Sequence, residues 1–431
     1  MKMWNEKIET MSQEEMHALQ SEKIIETVNR VYRDVPFYKN KFDEIGLLPG
    51  DIKSIDDLHK VPFTVKDDLR DNYPYGLFGV PMSEIVRIHA SSGTTGKPTV
   101  VGYTKEDIDN WSECISRLII MAGGRKDDIV QIAFGYGLFT GAFGLHYGME
   151  KVGAAVIPMS TGNTEKQLMI MQDFKPTILI STPSYALYMS EVAQELGITK
   201  DKLSLRIAMF GAEGHTEEMR KTLEDRWGIQ ATENYGLSEV MGPGVAGECL
   251  NHTGMHINED FFKVEICDPE TLKPLPDGER GEVVITPLGK KGIPLLRYRT
   301  KDISWIETTP CPCGRTTKRL HKIQGRTDDM LIIKGVNVFP SQIEGVLLGI
   351  KNISPQYQIV ITKQGYVDAL EVRVELANSD LLENFSELEN LKNEIHHKIQ
   401  TVLGIGVKVT LLGPKSIERT TGKAKRVIDM R

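Results

Sequence analysis

Between Ser91 and Thr99 the chain reads Ser-Ser-Gly-Thr-Thr-Gly-Lys-Pro-Thr, crowding five hydroxyls, two glycines and a lysine into nine residues. Glycines let a turn aim several backbone N–H groups at one point, which makes a nest for an anion. Hydroxyls donate to phosphate oxygens, and a lysine adds a mobile charge. Ser91, Ser92, Gly93, Thr94, Thr95, Gly96 and Lys97 are therefore expected to bind a polyphosphate. The pattern is not a Walker A loop, which needs Gly-Lys five residues after the first glycine; here Pro98 stands there. A plain polar hairpin turn would need the glycines but not the five hydroxyls and the lysine.

Other groups also have chemical potential. In Asn234-Tyr235-Gly236-Leu237-Ser238-Glu239, a tyrosine face can stack on a base, Ser238 can bond phosphate and Glu239 can hold Mg2+, a hard cation that prefers oxygen ligands. Asp302, in Tyr-Arg-Thr-Lys-Asp, can accept two hydrogen bonds from a cis-diol, although alone it would pass for a surface acid. Phe210-Gly211-Ala212-Glu213 ends a strand, where glycine lets a flat ligand approach the backbone. Cys249 and His256, with Cys311 and Cys313 far downstream, offer three thiolates and an imidazole, a set suited to a closed tetrahedral structural Zn2+. His252 is the alternative nitrogen ligand, and idle reduced thiols are the alternative to a metal site. Cys114, on an apolar helix face, is expected to pack, and Cys267 to lie in a strand.

These groups need a scaffold. The chain has 431 residues, too many for one ordinary core, which predicts two or three domains. A net charge of −7 and the lack of a basic stripe argue against nucleic acid as a partner. The start of the chain lacks an export-type apolar segment, and no run of about 18 apolar residues exists, so a cytoplasmic protein that does not cross a membrane is expected. Residues 1–80 read as a helix-rich leader. Strands are expected at Glu84–Ala90 and Pro98–Thr104, flanking the glycine-rich loop, with Thr104 capping a helix that carries Ile108, Trp111, Ile115 and Leu118 on one face. Strand–helix alternation then predicts a parallel sheet covered on both faces, with ligands at the carboxyl ends of its strands. Beyond Tyr235 the pattern turns to β, and from about residue 326 it becomes a small α+β unit. There Met330–Phe339 reads as one strand and 388–403 as a helix.

The segment SSGTTGKPT resembles the phosphate loop of the adenylate-forming superfamily, and HASSGTTGKPTVVGYT is similar to its phenylacetate–CoA ligase branch; the likeness runs from about residue 30 to the end. The resemblance implies an α/β fold: a large N-terminal domain with a doubly wound, mostly parallel sheet plus a β subdomain, and a small, mobile α+β C-terminal domain. The implied boundaries are residues 1–327 (leader 1–80, α/β core 84–240, β-rich part 241–326) and 328–431. By the same likeness the chain is an acid–thiol ligase that joins an aryl carboxylic acid, with phenylacetate the first expectation, to coenzyme A through an acyl-adenylate, releasing AMP and pyrophosphate. Indoleacetate or benzoate is the alternative acid, and a carrier protein the alternative acceptor. The family's roles, carried to matching positions, make Lys423, Glu239 and Thr94 catalytic. They place Gly211, Ala212 and Glu213 along the adenine pocket, although Gly214-His215 stands where many relatives carry Pro-Trp. Asn234, Tyr235, Gly236, Leu237 and Ser238 would complete the nucleotide site, with Asp302 gripping the ribose and Arg326 near the nucleotide. Asp328 would be the hinge, and Lys334-Gly335 would flank the pantetheine channel. Tyr136 would contact the acid's ring and Phe139 line its pocket. The implied cofactors are ATP, Mg2+ and CoA, with zinc in the Cys/His set, and the family habit is a homodimer.

Overall fold

The structure, a computed structural model, describes residues 2–91, 98–329, 331–333, 336–364, 367–421 and 424–431. Helices α1 (Glu6–Glu9), α2 (Gln13–Asp34), α3 (Pro36–Glu44) and α4 (Lys66–Asp71) form the leader. Ser12 opens α2 with a capping box to Glu15, and Met16, Ile24, Val28 and Val31 recur at helical spacing on its buried face.

A hairpin comes next. Strands β1 (Arg87–Ala90) and β2 (Val100–Tyr103) pair antiparallel, pairing Ala90 with Val100. The first strand is shorter than Glu84–Ala90 because Met82–Glu84 turns as a 3-10 helix. Thr104 caps α5 (Lys105–Met121) as expected, and Ile108, Trp111, Ile115 and Leu118 are buried on it.

The alternation then runs β3 (Ile129–Ile132), α6 (Gly141–Val152), β4 (Ala155–Ile157), α7 (Thr164–Phe174), β5 (Ile178–Ser181), α8 (Pro183–Glu195), β6 (Ile207–Phe210), α9 (Glu217–Trp227) and β7 (Gln230–Leu237). Strands β3 to β7 pair in parallel. Because strand side chains alternate, each central strand feeds two cores. Ile178, Ile180, Ile207 and Met209 join the core shared with the leader and α5, while Leu179, Ala208 and Phe210 join the one under α7, α8 and α9. Gly144 and Gly148 let α6 lie against α5; a Cβ at either would meet Trp111 or Ile115 at 2.1 Å.

The sheet does not stop at the parallel strands. Strands β8 (Gly242–Glu248) and β9 (Met255–Ile257) continue it antiparallel. Farther along the chain come β10 (Phe262–Cys267), β11 (Gly281–Pro287), β12 (Tyr298–Ser304), β13 (Ile306–Glu307), β14 (Arg319–Leu320) and β15 (Gly325–Arg326). The nine-stranded sheet has the order β13-β14-β9-β8-β7-β6-β5-β3-β4, so its parallel part is extended by an antiparallel one. A second sheet, β10-β11-β12-β15, forms the β-rich part.

The C-terminal unit contains β16 (Leu331–Ile333), β17 (Val336–Val338), α10 (Pro340–Leu348), β18 (Ile353–Gln364), β19 (Val367–Leu376), α11 (Phe385–Leu403), β20 (Lys408–Leu412) and β21 (Val427–Asp429). Met330–Phe339, expected as one strand, holds the antiparallel pair β16–β17. β21, which the sequence pattern does not reveal, joins β18 in parallel. This unit has its own core around Ile343, Ile359, Val372, Ile395 and Ile399. Among the described residues no helix is long and apolar enough to cross a membrane.

Candidate active site

Strands β6, β7, β12 and β15 bring the nucleotide-type residues together. β7 runs on through Asn234–Leu237, so this motif is strand rather than loop. Asn234 Nδ2 donates to Phe210 O (2.8 Å), tying β7 to the end of β6. Tyr235 Oη donates to Asp302 Oδ2 at 2.6 Å, and Arg326 Nη1 donates to Asp302 Oδ1 at 3.1 Å across the Asp302–Arg326 register of β12 and β15. Arg326 also clasps Asp328 (2.8 and 3.1 Å). Burial, then the Asp302 charge, pushes the Tyr235 hydroxyl well above its ordinary pKa, so it stays a donor. Burial works against the Arg326 charge, but Asp328 and Asp302 outweigh it and raise its pKa. Gly236 is dictated by space: a Cβ there would lie 1.9 Å from Gly242 O.

Farther along, Ser238 Oγ bonds Thr140 Oγ1 at 2.7 Å. Glu239 is buried and lies 3.4 Å from Lys66 Nζ of α4. Lys290 Nζ, fully buried on the ring of Tyr103, donates to Glu239 O at 3.4 Å, and burial lowers its pKa to about 8. Lys66 and Lys290 escape a reading of the sequence: Lys66 is one lysine in a polar stretch and Lys290 belongs to a Lys290-Lys291 pair between glycines, and neither has a spacing signal to mark it.

The glycine-rich loop leaves from this same region. Its stem closes through Ser91 N donating to Thr99 O (3.0 Å), and Ala90 N ties it to the segment after β3 by donating to Leu138 O (3.0 Å). Ser91 Oγ and Thr99 Oγ1 are buried and have no hydrogen-bond partner among the described residues. Ser92, Gly93, Thr94, Thr95, Gly96 and Lys97 lie outside the described residues, as do Lys334, Gly335 and Lys423.

Tyr136 lies after β3 and enters an aromatic cluster. Its hydroxyl bonds His146 Nδ1 (3.0 Å), and its ring meets Phe143 edge-on with centroids 5.2 Å apart. His89 of β1, the first residue of the HASSGTTGKPTVVGYT segment, to which the sequence reading gave no role, packs on Phe143 (5.5 Å) and Tyr103 (5.8 Å). Its Nδ1 bonds Leu138 O, and burial lowers its pKa, which favours the neutral ring. Phe139 is 40% exposed and touches Phe134 by its edge.

Gly211 and Ala212 lie at the carboxyl end of β6, with Ala212 at φ +69°. The Glu213 carboxylate turns toward other partners: Oε1 accepts from Ser184 N (2.7 Å) and Oε2 from Ala424 N of the C-terminal unit (3.1 Å). His215 is buried, with neither ring nitrogen bonded among the described residues, and burial pushes its pKa well down.

Cys249 at the end of β8, His256 on β9, and Cys311 and Cys313 in the turn before β14 converge. Their ligand atoms all lie within 4.8 Å of one another and every residue is buried. Zinc bonds of ~2.3 Å to sulfur and ~2.0–2.1 Å to nitrogen at tetrahedral angles imply about 3.8 Å between sulfurs and about 3.5 Å between sulfur and nitrogen. The observed Cys249 Sγ–Cys311 Sγ and Cys313 Sγ–His256 Nε2 distances are 3.6 and 3.3 Å. His256 Nδ1 is engaged by Thr317 Oγ1 (3.0 Å), which aims Nε2 at the thiols, the usual outer-shell arrangement for a metal-ligating histidine. His252, at φ +51°, instead faces Glu248 at 3.5 Å. Cys114 is buried on α5 and Cys267 lies in β10, as expected.

Comparison with known proteins agrees with this geometry. Residues 57–288 match the family described as AMP-binding enzyme, and 335–431 match the AMP-binding enzyme C-terminal domain. The chain is 49% identical over 429 residues to a phenylacetate-coenzyme A ligase of Aromatoleum evansii, covering 99% of this chain and 97% of that one. A 2-hydroxyisobutyryl-CoA ligase crystallised in the postadenylation state with 2-HIB-AMP superposes with a TM-score of 0.93 at 30% identity, covering 99% of this chain and 92% of that one. The same ligase with 2-HIB-AMP and CoA in the thioesterification state gives 0.73 at 31% identity, covering 98% and 91%.

Proposed function

The chain belongs to the AMP-binding, adenylate-forming enzyme family, and from that membership we infer that it ligates phenylacetate to coenzyme A, using ATP and passing through an acyl-adenylate. The observation that carries the reading is the hydrogen-bonded chain Tyr235–Asp302–Arg326–Asp328 beside the end of β6, a ready cradle for a nucleoside, with the aromatic cluster of Tyr136, Phe143 and His89 packed near the stem of the phosphate loop.

A carboxylate that attacks the α-phosphorus of ATP brings two anions together, so positive charge must be in place before the transition state. Residues 91–97 hold the phosphates, and Lys423 supplies charge at the attacked phosphorus. Tyr235 stacks on adenine while its hydroxyl fixes Asp302, and Asp302 takes the ribose hydroxyls. The buried Glu239 carboxylate is an oxygen donor of the kind Mg2+ prefers; it would hold the ion, which would supply positive charge to the triphosphate. Tyr136 packs against the aryl ring. Cys249, His256, Cys311 and Cys313 hold a structural zinc, whose fit rests on the near-tetrahedral separations of their donor atoms.

The second half-reaction, attack of the CoA thiol on the mixed anhydride, uses a different placement of the C-terminal domain, from residue 328 onward. Asp328, clasped by Arg326, is its pivot, and Lys334-Gly335 flanks the incoming pantetheine. The near-identity in shape with a postadenylation state, and the lower match to a thioesterification state, supports the first of these placements for the structure described.

The test is a panel of phenylacetate, indoleacetate, benzoate and hydroxylated analogues, read by AMP release with and without free CoA. Phenylacetate with CoA should give the highest kcat/KM. AMP release that ignores CoA would point to a carrier-loading enzyme and overturn the reading.

A further inference from the structure

One face of α8 is occupied in an unusual way. Ser184, Tyr188, Glu191 and Glu195 stand at spacings of four, three and four residues, which places them along one side of a helix. All four meet the C-terminal segment 415–426. Lys415 Nζ pairs with Glu195 (2.5 Å). Arg419 Nε donates to Glu191 Oε2 (3.1 Å), while its two Nη atoms hold Glu375 of β19 at 2.7 Å each. Tyr188 lines the cavity between the two units together with Arg419 and Arg426. Arg426 Nη2 reaches Ser184 Oγ at 3.4 Å and stacks on Tyr357.

Glu213 completes the row. Ser184 is the second residue of α8, so its N–H is one of the orphan donors of a helix start. One oxygen of Glu213 caps that donor, and the other accepts from Ala424 N–H across the gap between the units. Lys423 therefore comes directly before a residue whose backbone is bonded to the adenine-side loop, and four residues after an arginine bonded to α8. The described residues Arg419 and Ala424, on either side of it in sequence, are thus both bonded to the large domain.

Resting on the role proposed for Lys423, we propose that Glu213 and Glu191 are positioning residues for adenylation: with α8 they form a dock that seats the lysine segment, and the dock must open before the thiol can be delivered. Glu213 thus acts less as a wall of the adenine pocket than as the joint between the nucleotide loop and the mobile domain. The dock is made of charge-assisted bonds of modest strength, as a contact that must break once per turnover requires.

The experiment measures two half-reactions in single turnover on the full chain: pyrophosphate release from ATP and phenylacetate, and phenylacetyl-CoA formation from supplied phenylacetyl-adenylate and CoA. Glu191→Gln removes a half-buried partner of Arg419 and should lower the ratio of the first rate to the second about threefold. Glu213→Gln turns one acceptor into a donor that faces an N–H, and should lower the same ratio about tenfold or more. Loss of folding would depress both rates together, so an unchanged ratio in both variants overturns the proposal. Lys423→Ala separates the two readings. If it keeps full adenylation, the lysine assignment itself falls; if it abolishes adenylation while both glutamate variants keep the wild-type ratio, only the dock falls.

Discussion

Asp302→Asn gives a sharp test of the nucleotide site. Asparagine keeps the shape of the side chain but loses the charge and replaces one acceptor oxygen with a donor. Asp302 accepts from Tyr235 Oη at 2.6 Å and Arg326 Nη1 at 3.1 Å, and both partners are donors, so one of them will face an NH2 group. The buried carboxylate that should meet the ribose thereby loses both its charge and its fixed orientation. A hydrogen bond to a charged group is worth about 1.5–3 kcal/mol, so kcat/KM for ATP should fall about 10- to 150-fold. The loss should appear mainly in KM if the contact is equally strong in ground and transition states. The assay is phenylacetate-dependent ATP–pyrophosphate exchange with ATP and with 2′-deoxy-ATP. Wild type should discriminate against the deoxynucleotide, and Asp302→Asn should lose most of that discrimination. If the variant discriminates as strongly as wild type, Asp302 does not hold the ribose and the reasoning fails.

Further expectations concern the metal, the close backbone approach at Gly236 and pH. Protein washed with chelator and repurified should hold about one zinc per chain, and Cys313→Ser should lose the metal and melt several degrees lower; a stoichiometry near zero in wild type removes the site. Gly236→Ala forces a Cβ to within 1.9 Å of Gly242 O, so β7 must shift. With a displacement near 1 Å beside Tyr235, exchange activity should drop about a hundredfold in a chain that still folds by circular dichroism, and near-normal activity would contradict the packing. Glu233, beside the nucleotide motif, has its pKa pushed by burial from 4.5 to about 7, despite Lys322 at 3.4 Å. Below about pH 4.5 both folded and unfolded chains hold this proton; between there and about 7 only the folded chain does, so wild type loses up to about 3 kcal/mol through this window as pH rises. Melting curves from pH 5 to 8 should show Glu233→Gln gaining on wild type as pH increases, whereas parallel curves would exclude the effect.

Much of this was legible in the chain alone. The phosphate loop, the Asn234–Glu239 motif and Asp302 are local patterns, because a nest, a stacking ring or a diol acceptor depends on residue type within a few positions. The strand–helix alternation from Ile129 to Trp227 was equally plain, since half-buried elements must repeat their apolar side chains at the period of their backbone. The antiparallel half of the large sheet was not: β8 is rich in glycine and β9 has three residues, so neither carries a period that sequence can display.

The long-range meetings belonged to the tertiary structure. Cys249 and Cys311 are separated by 62 residues, and only the pairing of β9 with β14 sets them 3.6 Å apart and selects His256 over His252. Lys66 reaches Glu239 from the leader, and Glu213 reaches Ala424 from 211 residues away. Residue types fix what a side chain can do, because chemistry is local. Which partner it does it with depends on how helices and sheets stack, and that is a global minimum no short stretch of chain encodes.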